Sequence, residues 1–523
     1  MKNHRQVQLF FLGWIVFFFA LWKGMLVVKP DGLYAGHPYV WADWSMHIGL
    51  VNSFAYRPLS LWFSSHPFFA GAPLNYPFVI NLISGILIRL GVSLSVSMLL
   101  PSFLLSLGLL ATLYFFYKRF FTNTKTICIA ALLFLCSGGV GFALVQTFSD
   151  STVVLTKIPE KGIEFTNIIM GMLVPQRAFL LGLPIGLWLL SSIIDFTRNK
   201  KPSIAKLVGM GLVAGLLPII HTHTYIVVVL FSAWVLLYQR THWREWIAFG
   251  TTSAVVSALV YLFFLRSSVS VASFFSWQPG WYVHTGILPW MLFWLKNWGV
   301  FLVLALIGTY LIYIRRRVEF AYISAWWMIF ILANLIQFQP QSWDNSKLFA
   351  WVYVGLGIPA AYCLYLLWRT KYKLAKVSVC VLVFLASLSG GIDLLHMLDF
   401  SHQTFRMLSA DEISLGTWVR EHTTPDAVFV TPELVSNPIP MMSGRSVVMG
   451  YSGWVFSYGF PYTDRQREMT ALYSGDSTAL DRLQNMTAIQ YVYIPHDQTK
   501  AQSIFTENVV FENPAGKVVK LTK

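Results

Sequence analysis

Charge is the first thing this sequence lacks. Only 12% of its 523 residues are Asp, Glu, Lys or Arg, against about a quarter in an ordinary soluble domain. Hydrophobic residues make up 56% and aromatics 16%, which excludes a disordered chain and argues against a soluble multidomain enzyme. Cysteine is scarce too. Cys128, Cys136, Cys363 and Cys380 all lie in apolar runs, with no CxxC or Cys/His spacing. They read as small packing residues, so neither a disulfide framework nor a structural zinc site is expected. No Walker A, GxSxG, HExxH or kinase signature occurs in a fitting context. Acidic residues are outnumbered 23 to 38, a net charge of +15 that in a soluble protein would suggest nucleic acid.

What is present is a series of apolar stretches long enough to cross a bilayer. The first runs from Leu9 to about Val28 behind Lys2 and Arg5, and reads as a retained signal anchor. Further spans are expected near 96–117, 126–147, 177–196, 206–222, 224–239, 247–265, 298–314, 320–336, 348–368 and 376–395, about eleven in all. Residues 77–92 could be a twelfth. Treating them as an interfacial helix instead puts Lys118, Arg119 and Lys125 on the same side as every later basic turn. Those turns are Arg198/Lys200/Lys201, Arg240/Arg244, Arg315–Arg317 and Arg369–Lys376. The six basic connections, the N-terminus among them, then carry the whole net charge. The excess is therefore a positive-inside signal, with no nucleic-acid partner.

This places the N-terminus in the cytoplasm and the long connections outside, in a multi-pass protein of the cell membrane. The first outer loop is set at 30–95. After Asp399 the composition turns polar, and residues 403–523 read as a small extracytoplasmic α/β domain following a transmembrane domain of 1–402. Strands are expected at Ala427–Thr431, Ser446–Met449, Gln490–Ile494, Val509–Phe511 and Val518–Leu521. Helices are expected near 411–422, 464–474 and 478–485.

Four constellations could carry chemistry. In ADWSMH, Asp43 and His47 are four apart and share one face of a helix, where they could deprotonate a substrate or bind a metal. The plainer reading is an interfacial helix with two solvated polar residues. In QFQPQSWDNSK, Asp344 and Asn345 could organise a site and Lys347 hold a phosphate, or Asp344 and Lys347 could simply pair. In HTHT, His221 and His223 could join a metal site, although no third ligand stands out and span ends are often polar. Gln176 and Arg177 open a span. Arg177, Arg266, Lys296 and Lys347 are sparse outer cations suited to a lipid-linked phosphate, or to snorkelling toward headgroups.

Together these features resemble the GT-C superfamily of integral membrane glycosyltransferases, which use polyprenyl-phosphate-linked sugars, in the manner of its mannosyl- and arabinosyltransferases. The likeness rests on the acidic residue of ADWSMH directly after the first span, on GAPLNYPFVINLISGILIRLG, on a soluble domain after the last span, and on WDNSK, WVREHTTPDAVFVTPE, GRSVVMGYSGW and DRQRE. It implies a polyprenyl-phosphate sugar donor, a glycan, lipid or protein acceptor, and work in cell-envelope glycan biosynthesis. The family's acid would be Asp43, with Asp31 a weaker candidate. Arg177, Arg266 and Lys347 would bind the donor phosphate, with Asp344, Asn345 and Gln176 organising the site. The family often places a second acid beside the first. Here His47 stands nearby instead, so no cofactor is assigned beyond a divalent metal as candidate. The alternative is a multi-span transporter or lipid flippase, which should show internal repeats and mid-bilayer charges. A non-catalytic scaffold is the third reading.

Overall fold

The computed structural model describes residues 2–145, 154–198, 203–265 and 275–521. The helices that organise it are α1 (Lys2–Met25), α2 (Trp41–Tyr56), α3 (Val79–Arg89), α4 (Leu94–Lys118), α5 (Thr124–Leu135), α6 (Arg177–Arg198), α7 (Ile204–Ile220), α8 (Thr222–Tyr238), α9 (Trp243–Val260), α10 (Ile287–Arg315), α11 (Arg317–Leu335), α12 (Ser346–Trp368) and α13 (Lys373–Met397). Among the described residues eight are long and apolar enough to cross a membrane: α1, α4, α6 and α9–α13. The shorter apolar α5, α7 and α8 stand at the other three positions where spans are expected, α5 being hardly longer than α3. The chain is an integral membrane protein. At 1.5 Å per residue α3 is only about 17 Å long, too short to cross a hydrocarbon core of about 30 Å.

Two helices depart from the sequence reading. The span expected at 126–147 stops at Leu135, because Ser137-Gly-Gly-Val-Gly141 leaves the helix for close backbone packing. A Cβ on Gly138, Gly139 or Gly141 would meet Ser389 Cβ, Lys296 O or Thr156 O at 2.7, 2.1 and 2.1 Å. In lipid such irregular backbone survives only when buried in protein. The span expected from 298 begins eleven residues earlier, at Ile287, and is kinked at Gly299 (φ 52°, ψ −134°). That conformation needs glycine. At the break Lys296 C=O accepts from Val140 N–H at 2.9 Å.

The chain forms two compact units. The first comprises Met1–Trp22, Ser102–Val260 and Phe274–Gln403. Its helices meet through small residues, as expected where lipid supplies no hydrophobic drive for association. Gly211 and Gly215 of α7 lie on α9, where added Cβ atoms would approach Phe249 O at 2.7 Å and Val256 Cβ at 2.5 Å. The strands β3 (Ser276–Trp277) and β4 (Ile336–Gln337) pair antiparallel.

The second unit comprises Lys23–Pro101, Tyr261–Ser273 and Thr404–Lys523, so the first long loop belongs with the polar C-terminal part. A hairpin of β1 (Leu26–Lys29) and β2 (Gly32–Ala35) is extended by β5 (Phe405–Ser409). The C-terminal sheet runs β7-β6-β8-β10-β9, with β6 at Val428–Val430, β7 at Ser446–Val447, β8 at Tyr491–Pro495, β9 at Val509–Asn513 and β10 at Gly516–Lys520. These are the five expected strands, and helices at Ala410–His422, Thr463–Tyr473 and Thr478–Met486 match the expected three. Leu415, Val419, Phe429, Val447, Tyr493 and Val518 form part of its core.

One buried histidine makes this unit sensitive to pH. His66 is fully buried, packed on the rings of Tyr458 and Phe460, and its Nδ1 accepts from Phe68 N–H at 3.1 Å. Burial first, and the Arg57 charge second, push its pKa down to about 3. A folded pKa below the unfolded value of about 6.5 means the unfolded chain binds the extra proton. Stability is then complete above about pH 6.5 and falls between there and about pH 3, by up to about 4 kcal/mol at 1.36 kcal/mol per unit. Unfolding of His66→Phe followed against pH should show a flatter acid limb than the wild type. An identical limb would contradict this.

Candidate active site

The ADWSMH segment is the start of α2, a 16-residue helix, as the spacing of Asp43 and His47 supposes. Asp43 lies in its first turn, where the helix dipole favours a carboxylate, and is half-buried. His47, one turn on, is fully buried, its ring centroid 6.3 Å from that of Tyr76. The helix is held from both ends. Ser45 Oγ lies 3.0 Å from Ser436 Oγ, and Asn52 donates to Met441 O. At the C-terminus Arg89 Nε donates to Phe54 O at 2.8 Å. Arg57 follows, donating to Ser446 Oγ at 2.7 Å and Ser65 O at 3.2 Å. Asp43 therefore sits on a rigid element with its face set by long-range contacts. Asp31 is different. It is exposed in the β1–β2 turn, bonded by Tyr34 Oη at 2.5 Å, and that bond first of all holds its carboxyl below the usual range.

The other candidates belong to the first unit. Gln176 C=O accepts from the N–H groups of Phe179 and Leu180 at 2.9 and 3.2 Å, so it starts α6. Arg177 is fully buried, with Nε 3.4 Å from Ser102 Oγ. Asp344 and Lys347 pair at 2.9 Å, their side chains 18% and 14% exposed. Asn345 is buried and holds the preceding turn, donating to Ala333 O and Ile336 O at 2.9 and 2.7 Å and accepting from Phe338 N–H at 3.0 Å. Its role is to shape the WDNSK turn. Trp343 of that turn stacks near Trp281, centroids 5.5 Å apart, and Lys157 lies over its ring at 5.6 Å. Arg266 lies outside the described residues.

His221 and His223 come together where α7 meets α8, their ring centroids 5.5 Å apart, and Lys347 acts electrostatically on both. As a metal site the pair fits poorly. Among the described residues no group of three or more His, Cys, Asp or Glu could hold a metal ion. Moreover, His221 Nδ1 accepts from Thr224 N–H at 3.3 Å. A backbone N–H can only donate, so that bond leaves the proton of the neutral ring on Nε2, which then has no lone pair for a metal.

One carboxylate escaped the sequence reading. Asp393 is buried near the end of α13, accepting from Thr156 N–H at 3.3 Å, Thr156 Oγ1 at 2.8 Å and Asn167 N–H at 3.2 Å. Asn297 of α10 completes the anchorage, accepting from Glu164 and Phe165 N–H at 2.8 and 2.9 Å. These bonds clamp residues 154–168 against the helices. Removing the carboxylate strands three donors, at about 1–3 kcal/mol each. Asp393→Ala should therefore be cut by trypsin at Lys157 or Lys161 at least tenfold faster than wild type, because cleavage follows the open population. Unchanged cleavage would show that the segment is held by other contacts.

No known family profile and no curated protein matches the chain. Solved structures do. The archaeal oligosaccharyltransferase AglB from Archaeoglobus fulgidus, in complex with an inhibitory peptide and a dolichol-phosphate, superposes with a TM-score of 0.58 at 12% identity, over 95% of this chain and 70% of that one. ArnT from Cupriavidus metallidurans bound to undecaprenyl phosphate superposes with a TM-score of 0.54 at 12% identity, over 98% of each chain. The apo state of ArnT gives 0.53 at 11% identity. At such identities the likeness shows the fold alone: the chain shares the fold of AglB and ArnT.

Proposed function

We propose that the protein is a glycosyltransferase that moves a sugar from a polyprenyl-phosphate donor to an acceptor hydroxyl on the extracytoplasmic face of the cell membrane. The observation that carries this reading is the likeness to ArnT over 98% of both chains, in a structure that holds undecaprenyl phosphate. The positive-inside charge pattern supports the orientation, with the N-terminus cytoplasmic and the C-terminal domain outside.

In this reading Asp43 accepts the proton of the acceptor hydroxyl. The hydroxyl oxygen attacks the anomeric carbon, the bond from that carbon to the phosphate oxygen breaks, and the polyprenyl phosphate departs with the electron pair, in one inverting displacement. Asp43 suits the role because α2 presents it half-buried on a fixed helix, which meets the positional demand of general-base catalysis. His47, fully buried behind it, orients the helix face. Within the first unit, Lys347 and Arg177 are the cations assigned to the donor phosphate, by their charge and burial. Asp344 holds the Lys347 ammonium in place, and Asn345 and Gln176 set the turn and helix start from which these cations project. Arg266 is a further phosphate ligand in this scheme.

The test is a transfer assay with the full chain in nanodiscs, offering polyprenyl-phosphate sugars alongside the matching nucleotide sugars. Turnover or donor hydrolysis is expected with the lipid-linked sugars alone. Turnover restricted to nucleotide sugars would reject the reading, as would vesicle-to-vesicle lipid movement without any cleavage of the sugar–phosphate bond.

A further inference from the structure

The α7–α8 junction carries chemistry that the scheme above leaves unused. His221 is the N-cap of α8, with extended backbone (φ −164°, ψ 105°). Its ring is fixed from three directions. Phe179 stacks on it, centroids 4.6 Å apart and planes 16° from parallel. Thr224 binds Nδ1 through its backbone N–H, and its Oγ1 lies 2.9 Å away. Gly182 permits the close approach, since a Cβ there would sit 2.6 Å from His221 Cβ. What remains is Nε2, which is buried and has no hydrogen-bond partner among the described residues. His223, in the first turn of the same helix, is also buried, and among the described residues its Nε2 has no partner either.

A buried polar nitrogen without a partner costs about 1–3 kcal/mol, and two on neighbouring rings, one of them the protonated Nε2 of His221, call for a common ligand. The surroundings define its charge. The N-terminus of a 17-residue helix contributes partial positive charge. Lys347 acts on both rings, and its bond to Asp344 uses one of three ammonium hydrogens. A cation is disfavoured by all of these, and by the protonated Nε2 of His221. An oxyanion satisfies them.

We propose that His221 Nε2–H, His223, the N-terminus of α8 and the Lys347 ammonium form an oxyanion site that receives a phosphate group. It rests on the polyprenyl-phosphate reading for its ligand: the phosphate is that of the donor or of the departing lipid. The two histidines are then phosphate-binding residues, and Phe179 and Thr224 are positioning residues that aim the first of them.

The experiment measures binding of geranylgeranyl monophosphate, geranylgeraniol and inorganic phosphate to the full chain in phosphatidylcholine nanodiscs. The wild type should bind the monophosphate at least tenfold more tightly than the alcohol. His221→Leu and His223→Leu should each lose most of that preference while binding the alcohol as before. His223→Gln, which retains an N–H donor at a similar reach, should keep affinity within about threefold. Inorganic phosphate that competes only weakly assigns the site to the lipid headgroup, and equal competition assigns it to free phosphate; either outcome upholds an oxyanion site. Leucine variants that keep the full preference for monophosphate over alcohol would overturn the inference and leave the transferase reading standing. So would stoichiometric zinc binding by the wild type that disappears in the glutamine variant. A wild type that does not distinguish monophosphate from alcohol would count against the donor assignment itself.

Discussion

Asp43→Asn should lower sugar transfer by about a hundredfold to ten-thousandfold, the usual contribution of a positioned general base. Asparagine keeps the size and planarity of the side chain but cannot take up the acceptor's proton. The loss should appear in kcat and equally in kcat/KM, because proton acceptance matters only as the acceptor oxygen forms its new bond. Donor binding should stay at the wild-type value. Thermal unfolding should also stay close to wild type, since α2 is held by Ser45, Asn52, Arg89 and Arg57. The measurement is steady-state transfer with a matched donor, run beside donor binding and unfolding on the same preparations. Full activity in the variant would remove Asp43 from the mechanism, and a parallel loss of donor affinity would make it a binding residue instead.

The largest expected structural effect is at Gly308. This residue of α10 lies against the backbone of α12, where an added Cβ would come within 1.8 Å of Pro359 O and 2.4 Å of Pro359 C. No side-chain adjustment relieves a clash with a backbone carbonyl, so the helices must separate. Overpacking of this kind costs about 1–3 kcal/mol and sometimes more. Gly308→Val belongs at the upper end, about 3 kcal/mol, because α12 is buried along most of its length and cannot shift alone. Gly250→Ala is the control: among the described residues a Cβ on this α9 glycine meets nothing within 4 Å, and helix propensity favours alanine by up to about 1 kcal/mol. Unfolding in detergent should rank Gly250→Ala at or above wild type and Gly308→Val well below both. Equal stability for the two variants would show that α10 and α12 do not pack closely at this level.

Most of the architecture was legible because a bilayer restricts the options. A chain that must satisfy every backbone group internally forms helices wherever about twenty apolar residues follow one another. Loop charges then order those helices by side. The misread segments share a cause. At Ser137–Gly141 and at Gly299 the composition stays apolar or small while the backbone departs from helix. Hydropathy records composition and cannot register a broken hydrogen-bond ladder. The C-terminal strands were legible for a different reason, since short β-branched runs between polar turns are specific to sheets.

The candidate site was legible only in part. Residue type and spacing singled out Asp43, His47, Asp344 and Lys347, but spacing could not show that His47 is fully buried while Asp43 is half-exposed. It could not show that Asn345 spends its amide on the turn that carries Asp344. Asp393 gave no signal at all, because one acid at the end of an apolar helix looks like any span end.

The sequence by itself determined that this is a polytopic membrane protein with short basic connections and a small mixed sheet and helix region after its last span, because those properties follow from local composition. Tertiary structure alone decided which polar groups meet. Asp393 and Thr156 are 237 residues apart, and Ser45 and Ser436 are 391 apart. Contacts between such distant residues leave no period or spacing in the sequence. They form only when packing brings the elements together.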